Sequence, residues 1–222
     1  MHPALLLLAD SRLPTGGHAH SAGLEACVSR GLVRGPDGVA ALLAARVPTT
    51  GLVIAAAAAA ACRARTTVWE PWDAAVSART PVAALRDVSR AQGRALLRTA
   101  RATWPSPAYD PLGARPHQAL ALGVVVAAAG GAPADAAALA VHHLVGQICS
   151  GAVRLLGLDP LTLAGVHAGA LAEGAATVTE AVFAGVAAAG ADDPSLLPAA
   201  TTPLSEVLAA RHAQADGALF AS

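Results

Sequence analysis

The chain contains no lysine and no asparagine, and all 15 of its basic residues are arginine. Charged residues make up 14% of its 222 positions and the formal net charge is zero, whereas an average soluble domain is about 25% charged. A neutral chain lacks the basic excess that marks nucleic-acid-binding domains. With so few charges, much of the surface must be apolar, and large apolar patches usually mark partner sites. The composition therefore predicts a protein that binds other proteins.

Cysteine is scarce as well. Cys27, Cys62 and Cys149 are odd in number, far apart and without a C-x-x-C pair, which predicts free, buried thiols in a reducing cytoplasm. The mean hydropathy of +0.51 raises the question of membrane insertion. A membrane-spanning helix needs ~20 strongly apolar residues, and the uncharged windows are interrupted by proline, histidine or glutamine. We therefore expect neither a membrane span nor, at this N-terminus, a signal peptide.

Alanine is abundant, at 60 positions, while aromatic residues amount to 3%. Alanine and leucine favour helices, so the sequence predicts a single all-helical domain over residues 1–222, a bundle of about ten helices. A capping residue before proline marks helix starts at Thr80-Pro81, Asp159-Pro160, Asp193-Pro194 and Thr202-Pro203. The expected helices are 3–9, 20–30, 37–46, 50–65, 71–79, 81–103, 117–129, 134–156, 160–189, 194–200 and 203–216, with a break near Gly146 or Gly151 left open.

The proline-rich segment 104–116 is expected to be a loop. Gly165-x-x-x-Gly169 has the spacing that lets two helices approach closely, and in an alanine-rich chain it predicts ordinary tight packing.

Residues 11–25, SRLPTGGHAHSAGLE, depart most from the alanine-rich background. They could hold a metal, form a catalytic loop or form a docking surface. Imidazoles such as His18 and His20 suit zinc and nickel, but stable sites need three or four ligands. His142 and His143 are adjacent, so on a helix they point about 100° apart. We predict no metal site, with His18 and His20 as weak candidates only.

Catalytic motifs are missing from the sequence. There is no G-x-S-x-G nucleophile elbow, no P-loop and no H-E-x-x-H pair. The sequence therefore predicts that the protein is not an enzyme.

A stripe of arginines recurs every four residues along the predicted helix 81–103. Its members are Arg86, Arg90, Arg94 and Arg98, with Arg101 beside them. Guanidinium forks suit carboxylates and phosphates, although an ordinary solvated helix face would look the same. Few aromatic residues are available for base stacking. An acidic protein partner therefore fits the stripe better than nucleic acid.

Five segments in order resemble the urease accessory protein F (UreF) family. They are the opening LLLADSRLPTGGHAHSAGLE, SRAQGRALLRTA at 89–100, HQALALGVVVAAAG at 117–130, SGAVRLLGLDP at 150–160 and PLSEVLAARHAQADGALFAS at 203–222. The family often carries an aromatic residue where His20 stands and an arginine where Ala218 stands, so contacts at these two positions differ in chemistry if they meet partners.

The resemblance implies an all-α, dimer-forming accessory protein that needs no cofactor. Its partners are then the D-type accessory protein (UreD, also called UreH), the nickel-carrying GTPase UreG and the apo-urease subunits, without nucleic acid or membrane. The partner-binding residues that it implies are Pro14, Gly16, His20, Ser21, Gly23, Leu24, Glu25, Arg90, Gln92, Gly93, Arg94, His212, Leu219 and Phe220.

Two alternatives from other classes remain open. One is a metal-binding enzyme built on His18, His20 and His117. The other is a helical regulatory or nucleic-acid-binding protein that uses the stripe from Arg86 to Arg98.

Overall fold

A computed structural model describes residues 3–17 and 20–212. The described chain is all-α and contains no strand. Its helices are α1 (Pro3–Ala9), α2 (Leu24–Ser29), α3 (Pro36–Arg46), α4 (Leu52–Arg63), α5 (Glu70–Ala78), α6 (Ala83–Thr103), α7 (Gln118–Ala128), α8 (Pro133–Leu156), α9 (Pro160–Glu173), α10 (Ala175–Ala191) and α11 (Pro203–His212). The predicted fold class is confirmed.

Helix α4 lies at the centre of the bundle and packs against α7, α8 and α10. The alanines from 55 to 61 are at most 2% exposed. Small side chains let neighbouring helices approach, and glycines complete the fit: a Cβ on Gly123 of α7 would lie 2.2 Å from the Ala58 carbonyl oxygen, and one on Gly185 of α10 would lie 2.4 Å from that of Ala56. The alanine-rich composition therefore builds a core of closely spaced backbones.

Several predicted boundaries differ from the structure for local reasons. Helix α2 begins at Leu24, not at 20, because Ala22 and Gly23 have positive φ angles of 51° and 84°, which a right-handed helix cannot include. Helix α6 begins at Ala83, because Thr80 instead closes α5 through its hydroxyl, which donates to the Val76 carbonyl. The expected start at Thr80-Pro81 is therefore wrong.

The positions of other helix ends also differ from the prediction. The predicted helix 160–189 is two helices that bend by 47° at Gly174, where a Cβ would lie 3.0 Å from both the Ala170 carbonyl oxygen and the Val47 side chain. Helix α8 runs through Gly146 and Gly151 without a break. The loop 104–116 contains a short 3-10 helix, Pro107–Leu112, and the predicted helix 194–200 is reduced to the 3-10 turn Pro194–Leu196.

Two predicted caps are confirmed. The Asp159 carboxylate accepts hydrogen bonds from the backbone of Leu161 and Thr162. The Asp193 carboxylate accepts one from Ser195.

Among the described residues, two helical stretches are long and apolar enough to cross a membrane by length and composition, and the bent pair α9 and α10 would make a third if it formed one span. The expectation that no segment qualifies is therefore wrong. One of the two stretches is Pro36–Arg63, where a π turn, Val47–Gly51, joins α3 to α4. The other is α8. Sequence reasoning missed the first stretch because it ended one helix at 46 and began another at 50.

Candidate docking surface

The loop after α1 rests on the middle of α6. The Thr99 hydroxyl of α6 donates a hydrogen bond of 2.8 Å to the Pro14 carbonyl oxygen. Gly16 has φ 80°, and a Cβ there would lie 3.4 Å from the Ala95 methyl group. Pro14 itself is exposed. The structure therefore brings the opening motif and the arginine helix, which the sequence presented as two separate patches, onto one surface.

The arginine stripe divides into two parts with different surroundings. Arg86 donates to the carbonyl oxygens of Thr80 and Pro81, at 2.8 Å each. Arg90 forms an ion pair with Asp73 at 2.5 Å and donates to the Arg115 carbonyl oxygen. These two guanidinium groups stabilise the packing of α6.

Arg94 and Arg98 are exposed, and neither has an ion-pair partner within the described ranges. They directly precede Ala95 and Thr99, the two residues of α6 that support the loop. We call the Pro14–Gly17 loop, in which Pro14 is exposed and the other residues are half-buried, together with Arg94 and Arg98 the docking surface. Its two free guanidinium groups suit carboxylates on a partner.

The second half of the opening motif is buried. Ser21 and Leu24 are fully buried, while His20 is 6% and Glu25 8% exposed. The Ser21 hydroxyl accepts a hydrogen bond from the Glu25 backbone, and this segment packs against Gly151 of α8. These residues therefore support the loop through buried contacts. Their direct contact with a partner stays a prediction.

Gly23 lies against the buried side chain of Arg46. A Cβ on Gly23 would lie 2.9 Å from an Arg46 terminal nitrogen. The Arg46 side chain has a buried Nε without a hydrogen-bond partner in the described structure, and burial lowers the pKa of its guanidinium group. The start of α2 thus depends on a glycine for both its backbone angle and its space.

We expect Gly23→Ala to lower the free energy of unfolding by about 2 kcal/mol, because it adds the Arg46 contact to the cost of a left-handed alanine. Gly157→Ala is the matched control, since Gly157 is also left-handed, with φ 62° and ψ 27°, and has open space around it; it should lose only about 1 kcal/mol. Urea unfolding monitored by circular dichroism measures both. Equal losses would mean that the Arg46 contact is unimportant.

Gln92 and Gly93 lie where α6 meets the chain that leads into α7. Gln92 is 6% exposed, and a Cβ on Gly93 would lie 2.2 Å from the Pro116 carbonyl oxygen. The glycine is therefore required for this crossing. A partner role for either residue stays a prediction.

His117 is fully buried beside this crossing. Its Nε2 lies 2.8 Å from the Ser77 hydroxyl and its Nδ1 lies 3.0 Å from the Ser89 hydroxyl. Burial lowers the pKa of His117 to about 4, with the nearby charges of Asp73 and Arg90 contributing in opposite directions. With both nitrogens engaged, this imidazole joins helices and is not available as the metal ligand that the enzyme alternative required.

A cavity of about 420 Å³ lies between the loop after α1 and helices α6 to α9. It is lined by three imidazoles, those of His142, His143 and His167, and we call it the imidazole cavity. The His142 ring centroid lies 5.9 Å from that of His143 and 5.1 Å from that of His167. Sequence reasoning missed His167 because it comes from a different helix.

Within the described ranges, no group of three or more histidine, cysteine, aspartate or glutamate side chains could hold a metal ion. Among the weak metal candidates, His20 is buried and His18 lies outside the described residues. Cys27 and Cys149 are buried and Cys62 is half-buried, all as free thiols. Burial raises the pKa of Cys62 and of Cys149 to about 11.

The C-terminal candidates are mostly beyond this description. His212 ends α11, while Leu219, Phe220 and the departing Ala218 lie outside the described residues.

Comparison with known proteins identifies the family to which the chain belongs. The UreF family profile matches residues 33–171. The chain is 44% identical over 218 residues to the urease accessory protein UreF of Mycobacterium sp. (strain JLS), which covers 98% of this chain and 97% of that protein. The corresponding protein of Mycolicibacterium vanbaalenii is 43% identical over 220 residues, with the same coverage, and that of Mycobacterium bovis (strain BCG / Pasteur 1173P2) is 40% identical over 218. The chain belongs to the UreF family of urease accessory proteins.

Proposed function

We propose that this UreF protein serves urease maturation as a scaffold. It joins the D-type accessory protein and apo-urease to the nickel-carrying GTPase UreG, and it modulates GTP hydrolysis or metal release by that partner. It acts in the cytoplasm as a homodimer and catalyses no reaction of its own. The observation that carries the proposal is the docking surface, where the glycine-containing loop rests on the helix that carries Arg94 and Arg98, two exposed arginines without an ion-pair partner among the described residues.

The rest of the surface supports a role in protein binding. Leu161 is 82% and Phe183 79% exposed, and Leu6 at the N-terminal end is 63% exposed. Exposed apolar side chains in a chain that is only 14% charged favour burial against partners. We therefore expect several partner faces, of which the docking surface is the polar one.

The two alternative functions have less support. A metal-binding enzyme would need His117 free, and both of its ring nitrogens are engaged. A nucleic-acid site would need the whole stripe, and Arg86 and Arg90 are occupied by carbonyl and carboxylate groups.

We expect Arg94→Glu combined with Arg98→Glu to abolish capture of one acidic partner, because the change replaces two attractive charges by two repulsive ones. The measurement is co-purification of the tagged protein with UreG, the D-type protein and apo-urease. Arg65→Glu combined with Arg63→Glu is the matched control, since these two arginines are also exposed and should not affect capture.

Which partner is lost identifies the occupant of the docking surface. Loss of UreG alone supports the bridging role as stated. If the double variant retains all three partners at wild-type levels, while its circular dichroism spectrum is unchanged, the docking surface is not a partner site.

A further inference from the structure

The tautomers of two imidazoles in the imidazole cavity follow from their partners. His142 Nε2 lies 3.1 Å from the Ala9 carbonyl oxygen, and His143 Nε2 lies 2.8 Å from that of Leu8. A carbonyl oxygen only accepts, so each Nε2 carries the hydrogen. The Nδ1 atom of each ring is then left with a lone pair, which is the form that binds a metal ion.

The third imidazole lies at a distance that suits a shared ion. A nitrogen–metal bond of 2.0–2.1 Å and a near-tetrahedral angle place the centroids of two ligating imidazoles ~5 Å apart. The His142 and His167 centroids are 5.1 Å apart, with their planes inclined by 39°. The two rings come from α8 and α9, which pack against each other.

The remaining lining of the cavity favours a cation. No arginine lines it, whereas the carboxamides of Gln92, Gln118 and Gln147 do. Asp10 also borders it, with its carboxylate paired to the Arg12 guanidinium at 2.5 Å. Gln92 is more than nine-tenths buried, and its side-chain nitrogen has no hydrogen-bond partner among the described residues. A hydrated ion would bring water oxygens to this group.

We propose that the imidazole cavity binds one borderline-soft divalent cation, such as Zn²⁺ or Ni²⁺, between His142 and His167. Imidazole nitrogen selects such ions over Mg²⁺ and Ca²⁺, which prefer oxygen. Water completes the coordination, because the described residues offer no third histidine, cysteine or carboxylate in position. With two protein ligands the ion is held weakly and exchanges readily. This metal site does not depend on the proposed scaffold function, and the two proposals are tested by separate experiments.

The test is calorimetric titration of the full chain with Zn²⁺ and, separately, with Ni²⁺. We expect one ion per chain in the wild type and at least a tenfold loss of affinity in His167→Ala. His142→Ala should show the same loss, but it also removes a hydrogen bond to α1. His167→Ala leaves both α1 anchors in place, so it remains informative if His142→Ala fails to fold.

His212→Ala and His20→Ala are the matched histidine controls and should keep wild-type affinity. Mg²⁺ at the same concentrations should neither bind nor displace Zn²⁺. The proposal is overturned if His167→Ala binds as tightly as the wild type, or if affinity is lost only in the His20 variant. Co-purification of the His167 variant with the maturation partners reports the scaffold role independently.

Discussion

Gly185→Ala is expected to lower the free energy of unfolding by about 3 kcal/mol or more, a large fraction of the roughly 5–15 kcal/mol by which a typical domain is stable. The added methyl group would lie 2.4 Å from the Ala56 carbonyl oxygen, 2.9 Å from the Ala59 methyl group and 2.9 Å from the Ala60 nitrogen. Two of these three atoms are backbone at the centre of α4. They cannot move aside without shifting the helix against α7 and α8 as well, because α4 packs on both.

Gly190→Ala is the control on the same helix. Gly190 has open space around it, so alanine should raise stability by about 0.5–1 kcal/mol through its greater helix propensity. Urea midpoints measured by circular dichroism compare the two variants with the wild type. If Gly185→Ala is as stable as Gly190→Ala, α10 does not cross α4 as closely as described.

The same glycines show what sequence reasoning could reach. Composition and helix-start signals predicted an all-helical chain, and most helix bounds agree within a few residues. The spacing Gly165-x-x-x-Gly169 pointed to tight packing, yet both glycines have open space around them, and the closest helix contacts are at Gly123 and Gly185. Which glycine faces a neighbour depends on the rotation of each helix in the bundle, and the local sequence does not determine that rotation.

The sequence predicted the two segments that form the docking surface, but it did not predict that they contact each other. The opening loop and the arginine helix were both identified from the sequence. Arg90 is occupied because of Asp73 on α5. The loop rests on α6 through the Thr99–Pro14 hydrogen bond, which joins residues 85 positions apart. Contacts over such sequence separations are tertiary contacts. The four-residue spacing of the arginines therefore could not show that Arg90 is paired and that Arg94 is exposed.

The imidazole cavity is the clearest omission. Adjacent His142 and His143 were set aside because their side chains diverge along a helix. Their rings do lie 5.9 Å apart, but the relevant neighbour is His167, 25 positions further on from His142, across the packing of α8 on α9. A helix-face argument considers one helix at a time and therefore cannot find a site shared by two.

Acidification is expected to lower the free energy of unfolding through His117. The pKa of His117 is about 4 in the folded protein and about 6.5 when unfolded. As pH falls below 6.5 the unfolded chain takes up a proton that the folded chain does not, so stability decreases with falling pH until about pH 4. The difference of about 2.5 units corresponds to about 3 kcal/mol. Depressed pKa values at His143 and His167 act in the same direction.

His117→Gln tests this assignment, because a carboxamide can both accept from and donate to the Ser77 and Ser89 hydroxyls without titrating. Urea midpoints at pH 7.5, 6, 5 and 4 should fall less steeply for the variant than for the wild type, with the two curves converging towards pH 4. A lower starting stability of the variant does not affect the comparison, since the slope is the readout. Parallel curves would mean that His117 is protonated as easily in the folded protein as in the unfolded chain, and that its two serine contacts do not hold it in the neutral form.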